Sequence, residues 1–179
     1  VVTSISGSDI IWYDHPLCYG KPGICGDRIG NIMVQNSDLL IILGTRLSIR
    51  QVGYAYEKFA TKAFKVMIDA DDAEMKKPTL SIDLQIHADI AEFFDKFEVA
   101  INDFQTPGYE KFRTWGREIE KKIPSILDDN PSEPGYINSY VFADRLFKHL
   151  KSGDCVVTAN GTAYTSTFQI MQVPKGVRV

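Results

Sequence analysis

The chain has 179 residues, 44% hydrophobic and 24% charged, an ordinary globular composition with room for one domain or one domain and part of another. A net charge of −3 gives no electrostatic footing for nucleic acid or an anionic membrane. No apolar run approaches the roughly 18 residues a spanning helix needs, and the three cysteines, Cys18, Cys25 and Cys155, match no zinc spacing and read as reduced thiols of a cytoplasmic protein.

Residues 1–6 read as a buried strand. Residues 7–28 read as a long loop with Gly20, Gly23 and Gly26, and loops of that length are usually functional or disordered. Those glycines do not form the dinucleotide fingerprint and do not directly follow a strand. Ile29, Ile32 and Met33 fall at helical spacing and predict a short helix over 27–36. Two continuous apolar runs, 39–43 and 64–68, read as strands. A short amphipathic segment joins them, so they should lie parallel, be buried on both faces and end on one edge of the sheet. That edge is where open α/β sheets bind ligands. It carries Gly44, Arg46, Arg50, Asp69 and Asp71. Glycine admits a ligand to the backbone, arginine forks onto phosphate, and a strand-end aspartate suits ribose hydroxyls. The same residues also read more plainly: the arginines as surface charges, Asp69 as a turn cap.

Residues 82–88 alternate as a short strand. Asp89 is placed to cap the next helix, with Glu92 as its capping-box partner. Ile90, Phe93, Phe94, Phe97, Ile101 and Phe104 trace one apolar stripe. Residues 105–108 break that helix. Tyr109, Phe112, Trp115, Ile119 and Ile123 trace a second stripe, opposite Lys111, Arg117, Lys121 and Lys122. Residues 128–135 are polar and proline-rich and read as a linker. Residues 136–150 predict a helix and 155–158 a short strand. After Asn160 two readings stand open. Asn160-Gly161 between β-branched runs signals a hairpin; the rival is strand, tight turn and helix over 162–171. Local pattern favours the hairpin, because the threonines and serine disfavour a helix. His15, His87 and His149 read as structural.

The order of these pieces resembles the central domain of thiamine-diphosphate-dependent enzymes related to acetolactate synthase. The residues that carry the resemblance are His15-Pro16, Gly20, Gly23, Gly30-Asn31, SDLLIILGTRL at 37–47, KVMIDAD at 65–71, Glu74 and IHAD at 86–89. It covers residues 1–104 and resumes at 136–179, where GDCVVTANG at 153–161, Phe168-Gln169 and Gly176-Val177-Arg178 are similar to the entry of the family's diphosphate-binding domain. Residues 105–135 then form a helical linker region. The resemblance implies a doubly wound parallel sheet, truncated at its N-terminal side, and the first elements of a second α/β domain. Against the local pattern, it also implies strand–turn–helix at Asn160.

For function, the resemblance implies thiamine diphosphate and Mg²⁺ at the interface of a homodimer or homotetramer, and a 2-oxoacid substrate that is decarboxylated, ligated to an acceptor carbonyl, or both. It assigns Asn160, Gly161, Thr162 and Ala163 to the diphosphate turn. Gly44, Arg46, Arg50, Asp69 and Asp89 would hold an FAD or ADP-like group, as in some relatives. Thr162-Ala163 stand where acetolactate synthases have Gln-His, and Ser48 stands where flavin-binding members have Asp. The metal motif and the activating glutamate are expected beyond the two ends of the chain, so these residues alone should be inactive. Two other classes fit the same pattern: a non-catalytic nucleotide- or flavin-binding module, and a pseudo-enzyme scaffold.

Overall fold

The structure, a computed structural model, describes residues 1–102, 104, 108–126 and 133–179. Three strands, β1 (Leu39–Leu43), β2 (Phe64–Asp69) and β3 (Leu84–His87), form a parallel sheet in that order. Leu39 pairs with Phe64 and Leu43 with Ile68; Val66 pairs with Leu84 and Asp69 with His87. The expected α/β sheet is therefore present. Its first crossover uses the single-turn helix α2 (Ile49–Val52) and a 3-10 turn at Tyr56–Lys58, and its second uses α3 (Asp72–Met75).

Alternation along the strands divides the sheet into two faces. On one, Val34, Phe59, Ala60 and Ala63 pack with Leu40, and Met75 packs with Ile42 and Met67. The opposite face of β1 is open: Leu39, Ile41 and Leu43 are 43%, 45% and 37% exposed. The expectation of two almost fully buried strands thus fails for β1. Its unbroken apolar run calls for cover on both sides, and the described residues supply it on one.

Helix α1 (Arg28–Gln35) precedes β1 within the expected bounds. Asp27 caps it, accepting from the Gly30 N–H at 2.7 Å, and the Asn36 amide donates to the Ile32 carbonyl at 2.8 Å where it ends. Helix α4 (Ile90–Ile101) is capped by Asp89, which accepts from Ala91 N–H at 2.8 Å. The capping box does not close, because Glu92 turns to Lys96 one helical turn on, at 2.6 Å. Its apolar stripe is covered only in part: Phe94 and Phe97 are exposed.

Helix α5 (Glu110–Lys122) buries its stripe as expected, Phe112, Trp115 and Ile119 packing with Tyr19, Ile29 and Met33. Gly116 makes the contact close. A Cβ there would lie 2.7 Å from Met33 Sδ and 2.9 Å from Tyr19 Cε1. Arg117 does not simply face solvent. It donates to the carbonyls of His15, Pro16 and Cys18 at 3.2, 3.0 and 2.9 Å and stacks over Tyr19, 4.3 Å from the ring centroid. Residues 105–107, in the expected helix break, and 127–132, which take in the first part of the expected linker at 128–135, lie outside the described residues.

Helix α6 (Ser139–His149) starts three residues later than predicted. Asn138 is its N-cap, accepting from the Tyr140 and Val141 N–H groups at 2.9 and 3.3 Å. Helix α7 (Thr162–Ile170) replaces the hairpin that local pattern favours. Ser166, Thr167, Phe168 and Ile170 are buried, and Phe147, Phe168, Met171, Val173 and Val177 form one apolar cluster. That burial outweighs propensity penalties of a few tenths of a kcal/mol per residue. Hydroxyls also find partners: Thr165 donates to Gly161 O and Ser166 to Thr162 O.

Two predicted strands are corrected. Residues 155–158 shrink to a single parallel bridge, Cys155 with Arg178. Residues 1–6 join no strand of the sheet. Val1 O accepts from Tyr19 N–H and Thr3 N–H donates to Gly20 O, after which Ile5–Gly7 curls into a 3-10 turn. Their hydrogen bonds go to the long loop, which the β-branched composition could not foretell.

Candidate functional site

The C-terminal ends of β1 and β2 bring Gly44, Asp69 and Asp71 to one edge, as expected, and β3 adds Asp89 two residues past its own end. Gly44 N–H donates to Ile68 O at 3.0 Å and Ala88 N–H to Asp69 O at 3.1 Å. Gly44 has φ 54°, and a Cβ on it would sit 3.4 Å from Ile90. The carboxylates here hold turns. Asp69 accepts from Asp71 N–H at 2.9 Å, Asp71 from Ala73 N–H at 2.9 Å, and Asp89 caps α4. His87 lies 2.9 Å through Nε2 from Ala70 O and braces the same turn.

The two arginines diverge from this edge. Arg46 Nε donates to Glu74 at 2.9 Å; Lys77 pairs with the other Glu74 oxygen and donates to Arg46 O at 3.1 Å. The cleft among Arg46, Glu74 and Lys77 measures about 10 Å³, the space of one water. Arg50 reaches the other way. Its Nη1 lies 3.4 Å from the Tyr164 hydroxyl and its guanidinium 5.7 Å from the Tyr164 ring centroid. Arg46 and Arg50 as placed form no common phosphate clamp.

The glycine loop is tightly built against the Arg50 backbone. A Cβ on Gly23 (φ 124°) would lie 2.3 Å from Arg50 O, and Ile24 N–H donates to that same carbonyl at 2.8 Å. Asn31 brackets Gly23, accepting from its N–H at 2.9 Å and donating to its carbonyl at 3.1 Å. Within the loop, Lys21 and Asp27 form an ion pair at 3.4 Å with side chains only 9% and 8% exposed. Lys21 Nζ also donates to Met171 O at 3.2 Å, and the Lys21 N–H to Asp27 Oδ2 at 2.9 Å. Burial pushes the Asp27 carboxyl above the usual aspartate range, with the neighbouring ammonium and two backbone N–H groups pulling the other way. Sequence reasoning missed Lys21. Asp27 was legible as a helix boundary, but nothing in the spacing reveals that a loop lysine folds back on it. At His15, Nδ1 accepts from Leu17 N–H at 3.1 Å and the ring packs edge-on against Trp12.

The turn at Asn160–Ala163 stands at the start of α7. Gly161 has φ 74°, a left-handed conformation that suits glycine. Its carbonyl accepts from Tyr164 and Thr165 N–H groups at 3.1 and 3.0 Å, and a Cβ on it would meet nothing within 4 Å. Among the described residues, no hydrogen bond occupies the N–H groups of Thr162 and Ala163. An exposed helix N-terminus with free N–H groups favours an anion. Also among the described residues, no three His, Cys, Asp or Glu side chains gather as a metal site, and no helix is long and apolar enough to cross a membrane.

A three-stranded parallel sheet with helical crossovers defines an α/β fold of the Rossmann-like kind. The chain belongs to the thiamine pyrophosphate enzymes: residues 1–97, over half its length, match the model of that family's central domain. It is 37% identical over 145 residues to a probable acetolactate synthase large subunit of Methanococcus aeolicus, covering 75% of this chain and 24% of that protein. A probable acetolactate synthase large subunit of Methanocaldococcus jannaschii is 31% identical over 136 residues, 75% of this chain and 23% of that protein. The large subunit of acetolactate synthase isozyme 1 of Escherichia coli is 34% identical over 87 residues, 47% of this chain and 15% of that protein. The chain spans about a quarter of the length of the first two relatives.

Proposed function

We propose that the full-length protein is an acetolactate-synthase-like enzyme that decarboxylates a 2-oxoacid, carboligates it, or does both, with thiamine diphosphate and Mg²⁺. On this reading residues 1–104 are the central domain, 105–135 a helical linker region and 136–179 the start of the diphosphate-binding domain. The observation that carries it is the turn at Asn160–Ala163, whose Thr162 and Ala163 N–H groups are free at the N-terminus of α7. An anionic diphosphate suits that donor set. When bound, thiamine diphosphate supplies the electron sink for cleavage next to a carbonyl. The residues of this chain would bind and orient it: Gly161 leaves the approach open, and the Thr162 and Ala163 N–H groups would hold the diphosphate.

A helix terminus favours an anion by roughly 0.3–1 kcal/mol when exposed and about 2 when partly buried. Micromolar affinity takes about 8 kcal/mol. The remainder comes, on this reading, from Mg²⁺ and from the partner subunit of a homodimer or homotetramer. Residues 1–179 alone should therefore be inactive and show no calorimetric binding of thiamine diphosphate. A cytoplasmic setting goes with the three unpaired cysteines. For an FAD or ADP-like group at Gly44, Arg46, Arg50, Asp69 and Asp89 the fit is poor, since both arginines are engaged elsewhere.

The test is calorimetry on the full-length protein with Mg²⁺, paired with release of carbon dioxide from a panel of 2-oxoacids. Binding and turnover are expected, and Gly161→Val should weaken binding at least tenfold. Binding without turnover would favour a pseudo-enzyme scaffold; no binding would favour a nucleotide module; normal binding by Gly161→Val would remove the turn from the site.

A further inference from the structure

We infer that Lys21 is a positioning residue for the diphosphate turn, holding α7 from its far end through Met171 O. The inference rests on the assignment of that turn proposed above.

Helix α7 is gripped at both ends by the central domain. In its first turn, Tyr164 meets the Arg50 guanidinium. Just past its last turn, Met171 O accepts from Lys21 Nζ at 3.2 Å. The two grips are not independent. Gly23 and Ile24 lie against the Arg50 carbonyl, two and three residues after Lys21 in the same loop. One loop therefore sets where both ends of the helix sit.

The charge of Lys21 is what makes the far grip directional. A buried ammonium is tolerated only where its donors are used and its charge is matched. Here Asp27 matches the charge, and Met171 O takes a donor. Asp27 is in turn fixed by the N–H groups of Gly30 and Lys21 at 2.7 and 2.9 Å. The chain of contacts runs from the α1 N-terminus through Asp27 and Lys21 to the end of α7. Apolar packing of Phe168 and Met171 holds α7 against α6, and Tyr140 OH donates to Gln169 Oε1 at 2.7 Å between the two helices. The Lys21 bond to Met171 O adds the tether to the loop, at the far end of α7. A shift of about an ångström would take the Thr162 and Ala163 N–H groups out of register with a bound diphosphate.

The working variant is Lys21→Met with Asp27→Asn in the full-length protein. It removes the tether without leaving a lone buried charge, and asparagine still caps α1. Two quantities are measured: thermal unfolding of the cofactor-free protein, and thiamine diphosphate affinity with Mg²⁺ by calorimetry. The expected result is an unfolding temperature within a few degrees of wild type and an affinity weakened at least tenfold. Lys21→Arg, which keeps charge and donor, should recover most of the affinity. Wild-type affinity in the double variant overturns the inference. So does a loss of affinity that only tracks a loss of cofactor-free stability, because Lys21 would then be merely structural. Gly161→Val separates the two levels: if it binds normally, the turn assignment itself has failed; if it is impaired while the double variant is not, only the role of Lys21 has.

Discussion

The Asp27 carboxylate caps α1, accepts from Lys21 N–H and balances a buried ammonium. Burial is the largest influence on its proton affinity and raises it above the ordinary value of 3.8. Between 3.8 and that raised value, the native state keeps a proton that the unfolded chain has released. The native state then binds more protons than the unfolded state, so stability falls as pH rises through that window. Urea midpoints taken in small pH steps should show this decline in wild type and lose it in Asp27→Asn. A rise in midpoint over the same steps would mean the pair, not burial, governs the site. Removing one partner of a buried pair costs about 3–5 kcal/mol, so Asp27→Asn alone should also be less stable at neutral pH.

At the scale of elements, α7 is where local and tertiary forces conflict most clearly. Its own residues lean toward a hairpin, and its buried face wins. Phe168 is the main contact, packed with Phe147, Met171 and Tyr164. Phe168→Ala should cost about 3–5 kcal/mol and reduce helical signal in circular dichroism by about the length of α7. Retained helicity would show that the 162–170 segment is helical without its packing.

The same conflict explains what could be read beforehand. β1, β2 and α1 were legible because continuous apolar runs and the helical spacing of Ile29, Ile32 and Met33 are local signals. The edge carrying Gly44, Asp69 and Asp71 followed from parallel pairing. Residues 1–6 and 155–158 were not legible, since a β-branched run does not reveal whether its hydrogen bonds go to a sheet or a loop. Arg46 and Arg50 were seen as a pair because they are near in sequence; Glu74 and Tyr164, which separate them, lie 28 and 114 residues away. Lys21 had no signal at all, its partner Met171 being 150 residues off.

At the scale of the whole molecule, the open side of β1 dominates. Leu39, Ile41 and Leu43 stand on one face of an edge strand, with Phe64 exposed on the next. Contiguous apolar surface beside an unpaired strand invites association. The isolated 179 residues should self-associate at high concentration in sedimentation experiments. Ile41→Lys should shift the population toward monomer with little change in secondary structure. A clean monomer for the parent sequence would show that the face is tolerated as it is.

Gly116 reverses the usual arithmetic of helix substitution. Alanine at a helix centre gains about 1 kcal/mol over glycine, so a peptide of residues 108–126 should become more helical with Gly116→Ala. In the folded protein the new methyl would meet Met33 and Tyr19, and overpacking costs typically 1–3 kcal/mol. The same change should therefore help the peptide and lower the unfolding midpoint of the protein. The glycine trades the helix's own preference for nearness to its neighbour, and α5 is spelled for where it docks rather than for how well it coils.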